Sequence, residues 1–340
     1  MRKKVVTMGE ILLRLSSPGY ERFSQAEALE VIYGGAEANI AVSLANFGVD
    51  AYFVSQLPDN DIGQCAVNHL RKYGVNTEHI VRAGERIGIY FFEKGTSVRP
   101  SKVIYDRKYS SITEAQVENF DFDEIFKDAD WFHFSGITPA LGENCIKLAQ
   151  KAREAAIRNK VPFSVDLNYR KKLWSYEEFE QVMPELIQDA EVCFGWLSSI
   201  EKNSQGYKLF DLEKHGLDKE KFNTIFKDMS EKYNIKCMIS TLRENYSASN
   251  NGLSAIMYAD KELYQSKKYN FTIEDRVGTG DAFAAGLIYK LVQGENYKDA
   301  IEFGVAAAVI KHSIPGDCNL VSEAEIMDIV NGNTSGSVKR

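Results

Sequence analysis

Asp275-Arg276-Val277-Gly278-Thr279-Gly280-Asp281-Ala282-Phe283-Ala284-Ala285-Gly286 is the segment best equipped for chemistry. Two glycines flank Thr279, and a helical pattern begins at about Asp281. Glycine lets successive backbone N–H groups turn inward and form an anion-binding concavity. The positive end of a helix strengthens it. Gly278, Thr279 and Gly280 are therefore candidates for a phosphate cradle, and Asp281 for a general base beside it. The plainer alternative is a glycine-rich helix start in which Asp281 serves as the cap, worth about 1 kcal/mol. A second segment, Gly34-Gly35-Ala36-Glu37-Ala38-Asn39, opens an amphipathic helix. Its glycines would let a ligand approach the backbone, and Asn39 can donate to and accept from hydroxyls. A turn with a satisfied Asn is the competing reading.

The elements that must position these groups follow from periodicity. Short apolar runs at 5–8, 51–55, 131–135, 163–166, 192–195 and 237–240 are predicted strands bounded by turn residues. Amphipathic helices are predicted at 36–47, 62–73, 144–159, 176–188 and 219–233. Alternation of this kind implies a mainly parallel sheet covered by helices on both faces. Residues 12–33 and 86–109 break the rhythm, and within them 87–93 and 102–107 are rich in Ile, Val, Tyr and Phe. They are predicted to form a small antiparallel sheet, a lid over a site at the carboxyl edge of the main sheet. Strand alternation sends Tyr90 and Phe92 to one face and Phe91 to the other. One face would cover a ligand, and the other would call for a partner.

The 340-residue chain carries a net charge of -7, with 44% hydrophobic and 26% charged residues, a globular composition that favours neither nucleic acid nor an anionic membrane. Five cysteines, odd in number and never in a CxxC pair, argue against a disulfide framework or zinc site and for buried thiols in a cytoplasmic protein. The basic start is broken by Glu10 and Arg14 and reads as a first strand, not a signal peptide. One domain is expected over 1–330, followed by a disordered tail at 331–340.

Taken together and in this order, the two glycine motifs resemble those of the ribokinase-like (PfkB-type) carbohydrate kinases over about residues 4–330. The resemblance implies a Rossmann-type three-layer α/β/α core with a small β lid. It also implies ATP and Mg2+, an anion hole at 278–281, and Asp281 as the base that deprotonates a sugar hydroxyl. A requirement for a monovalent cation stays open. Tyr105-Asp106-Arg107, Asp166-Leu167-Asn168-Tyr169-Arg170 and Pro315-Gly316-Asp317-Cys318-Asn319 look like the pattern of 2-keto-3-deoxygluconate (KDG) kinases. By that resemblance Gly34, Tyr90, Tyr105, Arg107, Arg170, Asp281 and Asp317 line the sugar site, with Gly35 and Asn39 beside them. Arg107 and Arg170 are two guanidinium groups suited to bidentate binding of a carboxylate. On the nucleotide side, Asn168, Thr241 and Arg243 join Gly278, Thr279 and Gly280. Glu201 would reach magnesium through water, but Ser198 stands where relatives carry Asn, and the segment after Thr241 lacks a common glycine turn.

These readings lead to an ATP-dependent KDG kinase acting as a homodimer through its lid. A kinase for a neutral sugar and a catalytically silent sugar-binding protein are the alternatives. A nicotinamide dehydrogenase is disfavoured, because no GxGxxG follows the first strand.

Overall fold

The structure is a computed structural model that describes residues 2–197 and 218–333. Its main sheet is built on β1 (Lys4–Met8), β4 (Asp50–Leu57), β5 (Ile80–Arg82), β8 (Trp131–Ser135), β9 (Phe163–Asp166), β10 (Val192–Phe194) and β11 (Cys237–Asn245). These run parallel in the order β11-β10-β9-β8-β1-β4-β5. Beyond β11 the sheet turns antiparallel through β12 (Asn250–Ala259), which pairs with β13 (Glu262–Gln265) and β14 (Tyr269–Thr272). The central strands are buried on both faces, as in the fully buried run Trp131–Ser135, so their apolar character is continuous and not alternating.

Helices α1 (Ala36–Asn46), α2 (Asp61–Lys72), α3 (Phe122–Phe126), α4 (Glu143–Arg158), α5 (Tyr176–Ile187), α6 (Lys219–Tyr233), α7 (Thr279–Val292), α8 (Tyr297–Lys311) and α9 (Glu323–Val330) complete the layers. On one face, α1, α7 and α8 bury Ile40, Leu44, Phe283, Leu287 and Val305. On the other, α4, α5 and α6 bury Leu148, Ala152, Met183 and Phe226. This is the expected three-layer α/β/α core, and the predicted helix limits hold to within a residue. β11 runs to Asn245, past the expected end at 240, because its whole length pairs with β12.

A separate sheet of order β3-β2-β6-β7 is made by β2 (Leu12–Ser16), β3 (Glu30–Gly34), β6 (Gly88–Glu93) and β7 (Lys102–Asp106). It occupies the two predicted stretches, but it is mixed and not antiparallel, since β2 pairs with β6 in parallel. Both strands leave the carboxyl ends of parallel core strands, β1 and β5, and so set out in the same direction. Leu12, Tyr90 and Phe92 pack together with Val103 and Val277 on the inward face.

Two further expectations are corrected. The tail does not begin at 331: backbone bonds from Asn331, Gly332 and Asn333 to Met327, Ile329 and Asp328 close α9. Cys65 is exposed, while the other cysteines are buried. Among the described residues, no helix is long and apolar enough to cross a membrane.

Candidate active site

Helix α7 begins earlier than its apolar pattern suggests. Gly278, with φ of 77°, is the N-cap, and Thr279, Gly280 and Asp281 form the first turn. A side chain at Gly278 would put its Cβ 1.8 Å from the Asp317 carbonyl, so only glycine fits. No side chain caps this helix, so the capping role considered for Asp281 does not occur. The first-turn N–H groups are left without an intrahelical acceptor, as at any helix start. A Cβ added at Gly280 would meet nothing within 4 Å. The cradle is thus open above Gly280, and its donors fit phosphate oxygens.

The Asp281 carboxylate accepts a 2.7 Å hydrogen bond from Asn39 Nδ2. Asn39, buried on α1, takes the Gly35 N–H on its oxygen at 3.4 Å, which fixes the amide orientation. Asn39 therefore steers Asp281. Desolvation pushes Asp281 up to about 7, against the pull of the Asn39 bond; Asp166 and Asp317 push the same way as burial, and Arg170 opposes them. A carboxylate held near neutrality is suited to general-base work.

The glycine pair is required by close packing on the side where a side chain would stand. A Cβ at Gly34 would lie 2.2 Å from Asp317 Oδ2, and one at Gly35 would lie 1.9 Å from the Glu10 carbonyl. The chain's own atoms fill that space. Asp317 in turn accepts from Tyr90 Oη at 2.5 Å and pairs with Arg14 Nη1 at 2.6 Å. The other Arg14 nitrogens reach Asp275 at 3.1 Å and Ser16 at 2.7 Å, and the guanidinium lies 4.2 Å from the Phe92 ring centre. Burial works against the Arg14 charge, but Asp317 and Asp275 more than offset it, and its pKa is raised. One lid residue thereby grips both segments that flank the cradle. Sequence reasoning missed Arg14. Its only signal is a basic residue on the inward face of an alternating strand, and its partner Asp317 lies 303 positions away.

Glu10, also missed, sits just past β1 and binds Arg107 through Nε at 2.8 Å and again through Nη2. Ser110 Oγ donates to its other oxygen at 2.6 Å. Arg107 is thus braced by a buried carboxylate, with its guanidinium 5.2 Å from the Tyr105 ring centre. Tyr105 is half exposed and faces Tyr90, ring centres 5.9 Å apart. Arg170 is exposed, has no side-chain hydrogen bond or ion pair among the described residues, and acts electrostatically on both Asp281 and Asp166. A free guanidinium near the candidate base can receive an anionic ligand.

Asn168 sits in the left-handed region at φ of 38° and binds Asp166 through its backbone N–H at 3.0 Å. Burial, partly countered by Arg170, pushes Asp166 up to about 6. Arg243 on β11 donates to Thr279 Oγ1 at 3.2 Å and meets His312 Nε2 at 3.1 Å. Arg243 thereby braces the helix start, and burial followed by Arg276 lowers its pKa to about 10. Thr241 is exposed on the same strand. Glu201 and Ser198 lie outside the described residues. Beneath the site Glu37, fully buried, accepts the Ser135 N–H at 2.9 Å, and burial pushes it up to about 7.

Comparison with known proteins places this geometry. Residues 2–201 and 253–324 match the model of the pfkB family of carbohydrate kinases. The chain is 30% identical to a Haloferax volcanii 2-dehydro-3-deoxygalactonokinase, with 99% of both chains covered. It is 26% identical to a Clostridium perfringens 5-dehydro-2-deoxygluconokinase over 92% of this chain and 89% of that one. The crystal structure of a Thermotoga maritima 2-dehydro-3-deoxygluconokinase superimposes with a TM-score of 0.91 at 44% identity, covering 97% of this chain and all of that one. With both glycine motifs in place around the helix start that carries Asp281, the chain belongs to the pfkB family of carbohydrate kinases.

Proposed function

We propose that the protein transfers the terminal phosphoryl group of ATP to the terminal hydroxyl of 2-keto-3-deoxygluconate, giving the 6-phosphate, and does so in the cytoplasm. The observation that carries the reading is the Asp281 carboxylate, turned by Asn39 at the mouth of an uncapped, glycine-opened helix. The relatives named above supply the substrate class: each is named for a dehydro-deoxy sugar acid. Arg170, free of partners among the described residues, and the braced Arg107 offer the guanidinium groups such an acid requires.

Magnesium-bound ATP supplies the phosphoryl group and screens its charge. Asp281 accepts the proton of the attacking hydroxyl, and Asn39 holds the carboxylate in the orientation for it. The N–H groups of Thr279, Gly280 and Asp281 donate to the charge that develops on the phosphoryl oxygens, and Arg243 steadies Thr279 behind them. Tyr90 and Tyr105, on the inward face of the lid, cover the sugar and exclude water.

An ADP-release screen across KDG, its galacto epimer, gluconate, fructose, ribose and adenosine tests the assignment. KDG is expected to have the highest kcat/KM; the galacto epimer is the second candidate, on account of the Haloferax relative. A higher value for fructose or ribose would end the sugar-acid reading while leaving a kinase. Arg170→Ala should raise KM for KDG roughly ten- to hundredfold, the loss of charge-assisted hydrogen bonds. It should do much less to any neutral sugar accepted. Equal losses on both would mean that Arg170 does not read the carboxylate.

A further inference from the structure

Lys311 is the last residue of α8 and is completely buried. Its Nζ donates to the carbonyls of Ile314 at 2.9 Å and Gly316 at 2.8 Å. Asp275 and Asp317 act on it favourably and Arg14 unfavourably. With Lys311 protonated, its charge and that of Arg14 balance the two carboxylates of this buried cluster. Burial lowers its pKa, and the two aspartates oppose that shift. The carbonyl end of α8, where the helix dipole is negative, adds to the preference for a cation.

The loop that Lys311 ties down is part of the phosphate cradle. Glu274 and Asp275 donate their N–H groups to the His312 carbonyl at 2.7 and 3.1 Å. The Gly316 N–H donates to Asp275 Oδ2 at 3.1 Å. The Asp317 carbonyl presses on Gly278, the cap of α7. A shift of residues 314–317 therefore moves the anion hole. A dehydrated monovalent cation is held by a cage of carbonyl oxygens, helped by nearby carboxylates. The Ile314 and Gly316 carbonyls, with Asp275 and Asp317 acting electrostatically, offer such a setting, and Nζ already binds the two carbonyls; an ammonium group and a potassium ion are alike in charge and close in size. The two carbonyls that would face such an ion are already bonded to Nζ.

We propose that Lys311 is a tethered cation that takes the place of a bound potassium ion behind the phosphate cradle, so that ATP binding and turnover need no added monovalent cation. The inference rests on the kinase reading of the site, but not on which sugar is the acceptor.

Calorimetric titration with magnesium-ATP, without sugar, tests it at fixed ionic strength in tetramethylammonium chloride or potassium chloride. Wild-type affinity should agree between the salts to within about twofold. Lys311→Met keeps most of the side-chain volume and removes the charge. It should bind ATP about tenfold more weakly in tetramethylammonium, with potassium, and not lithium, restoring most of the loss. If Lys311→Met does not fold in tetramethylammonium, recovery of its melting transition in potassium carries the same conclusion. Potassium tightening wild-type binding about tenfold would overturn the proposal, as would a Lys311→Met variant that potassium restores neither in affinity nor in folding. Failure of the sugar-acid assignment would show separately, as no ADP release from KDG in either salt while ATP binding is intact.

Discussion

At the residue scale the chemistry turns on one carboxylate. Asp281 must be ionised to accept a proton, and burial holds it up to about 7. As pH falls through that value the carboxylate takes a proton and the base is lost. The profile of kcat/KM, which reports the free enzyme, should therefore fall about tenfold per pH unit below pH 7 and level off above it. A profile flat down to pH 5 would remove Asp281 from this role. Asp281→Asn keeps the Asn39 contact within reach of an oxygen but cannot accept the proton. Turnover should drop about a hundredfold to ten-thousandfold with sugar binding largely kept. Retention of a third of wild-type turnover would refute the assignment.

At the element scale two features separate stability from function. Gly280 is inside the first turn of α7 and has open space where a side chain would be. Alanine there should stabilise the helix by about 0.5–1 kcal/mol. The same methyl group would intrude on the phosphate position, so Gly280→Ala should raise the melting temperature and weaken ATP binding together. A variant that gains stability and binds ATP as well as wild type would show that phosphate does not approach Gly280. Arg14 makes the opposite case. It joins β2 of the lid to Asp275 and Asp317, and its removal strands two buried carboxylates. Arg14→Met should cost about 3–5 kcal/mol in urea unfolding. A loss below about 1 kcal/mol would mean that the lid does not depend on this pair.

At the scale of the whole molecule the lid has a face it cannot cover itself. Val31 pairs with Leu15, Leu15 with Phe91 and Phe91 with Ile104, which puts these apolar residues in one row across all its strands. The row lies on the side away from Tyr90 and Asp317, and Val31 and Ile104 are 61% and 55% exposed. A second copy of the lid offers the same row in reverse and would bury it by two-fold pairing. Light scattering at micromolar concentration should report a dimer, and Val31→Lys with Ile104→Lys should give an active-site-intact monomer. A monomeric wild type would defeat the idea.

The sequence by itself determined the layered α/β class, the lid's position in the chain, and the glycine-flanked helix start with its acid. These depend on short-range pattern: strand and helix periods, turn residues, and glycine where backbone must come close. Only the tertiary structure decided how the groups are shared out. It turned Asn39 onto Asp281, filled the space above Gly34 with Asp317, paired Arg107 with Glu10, and left Arg170 without such a partner among the described residues. It also made Arg14 and Lys311 important, which no local motif marks. The parallel pairing of β2 with β6 was hidden for the same reason. Burial and charge compensation are properties of neighbours in space, and the partners of Arg14 lie 261 and 303 positions along the chain.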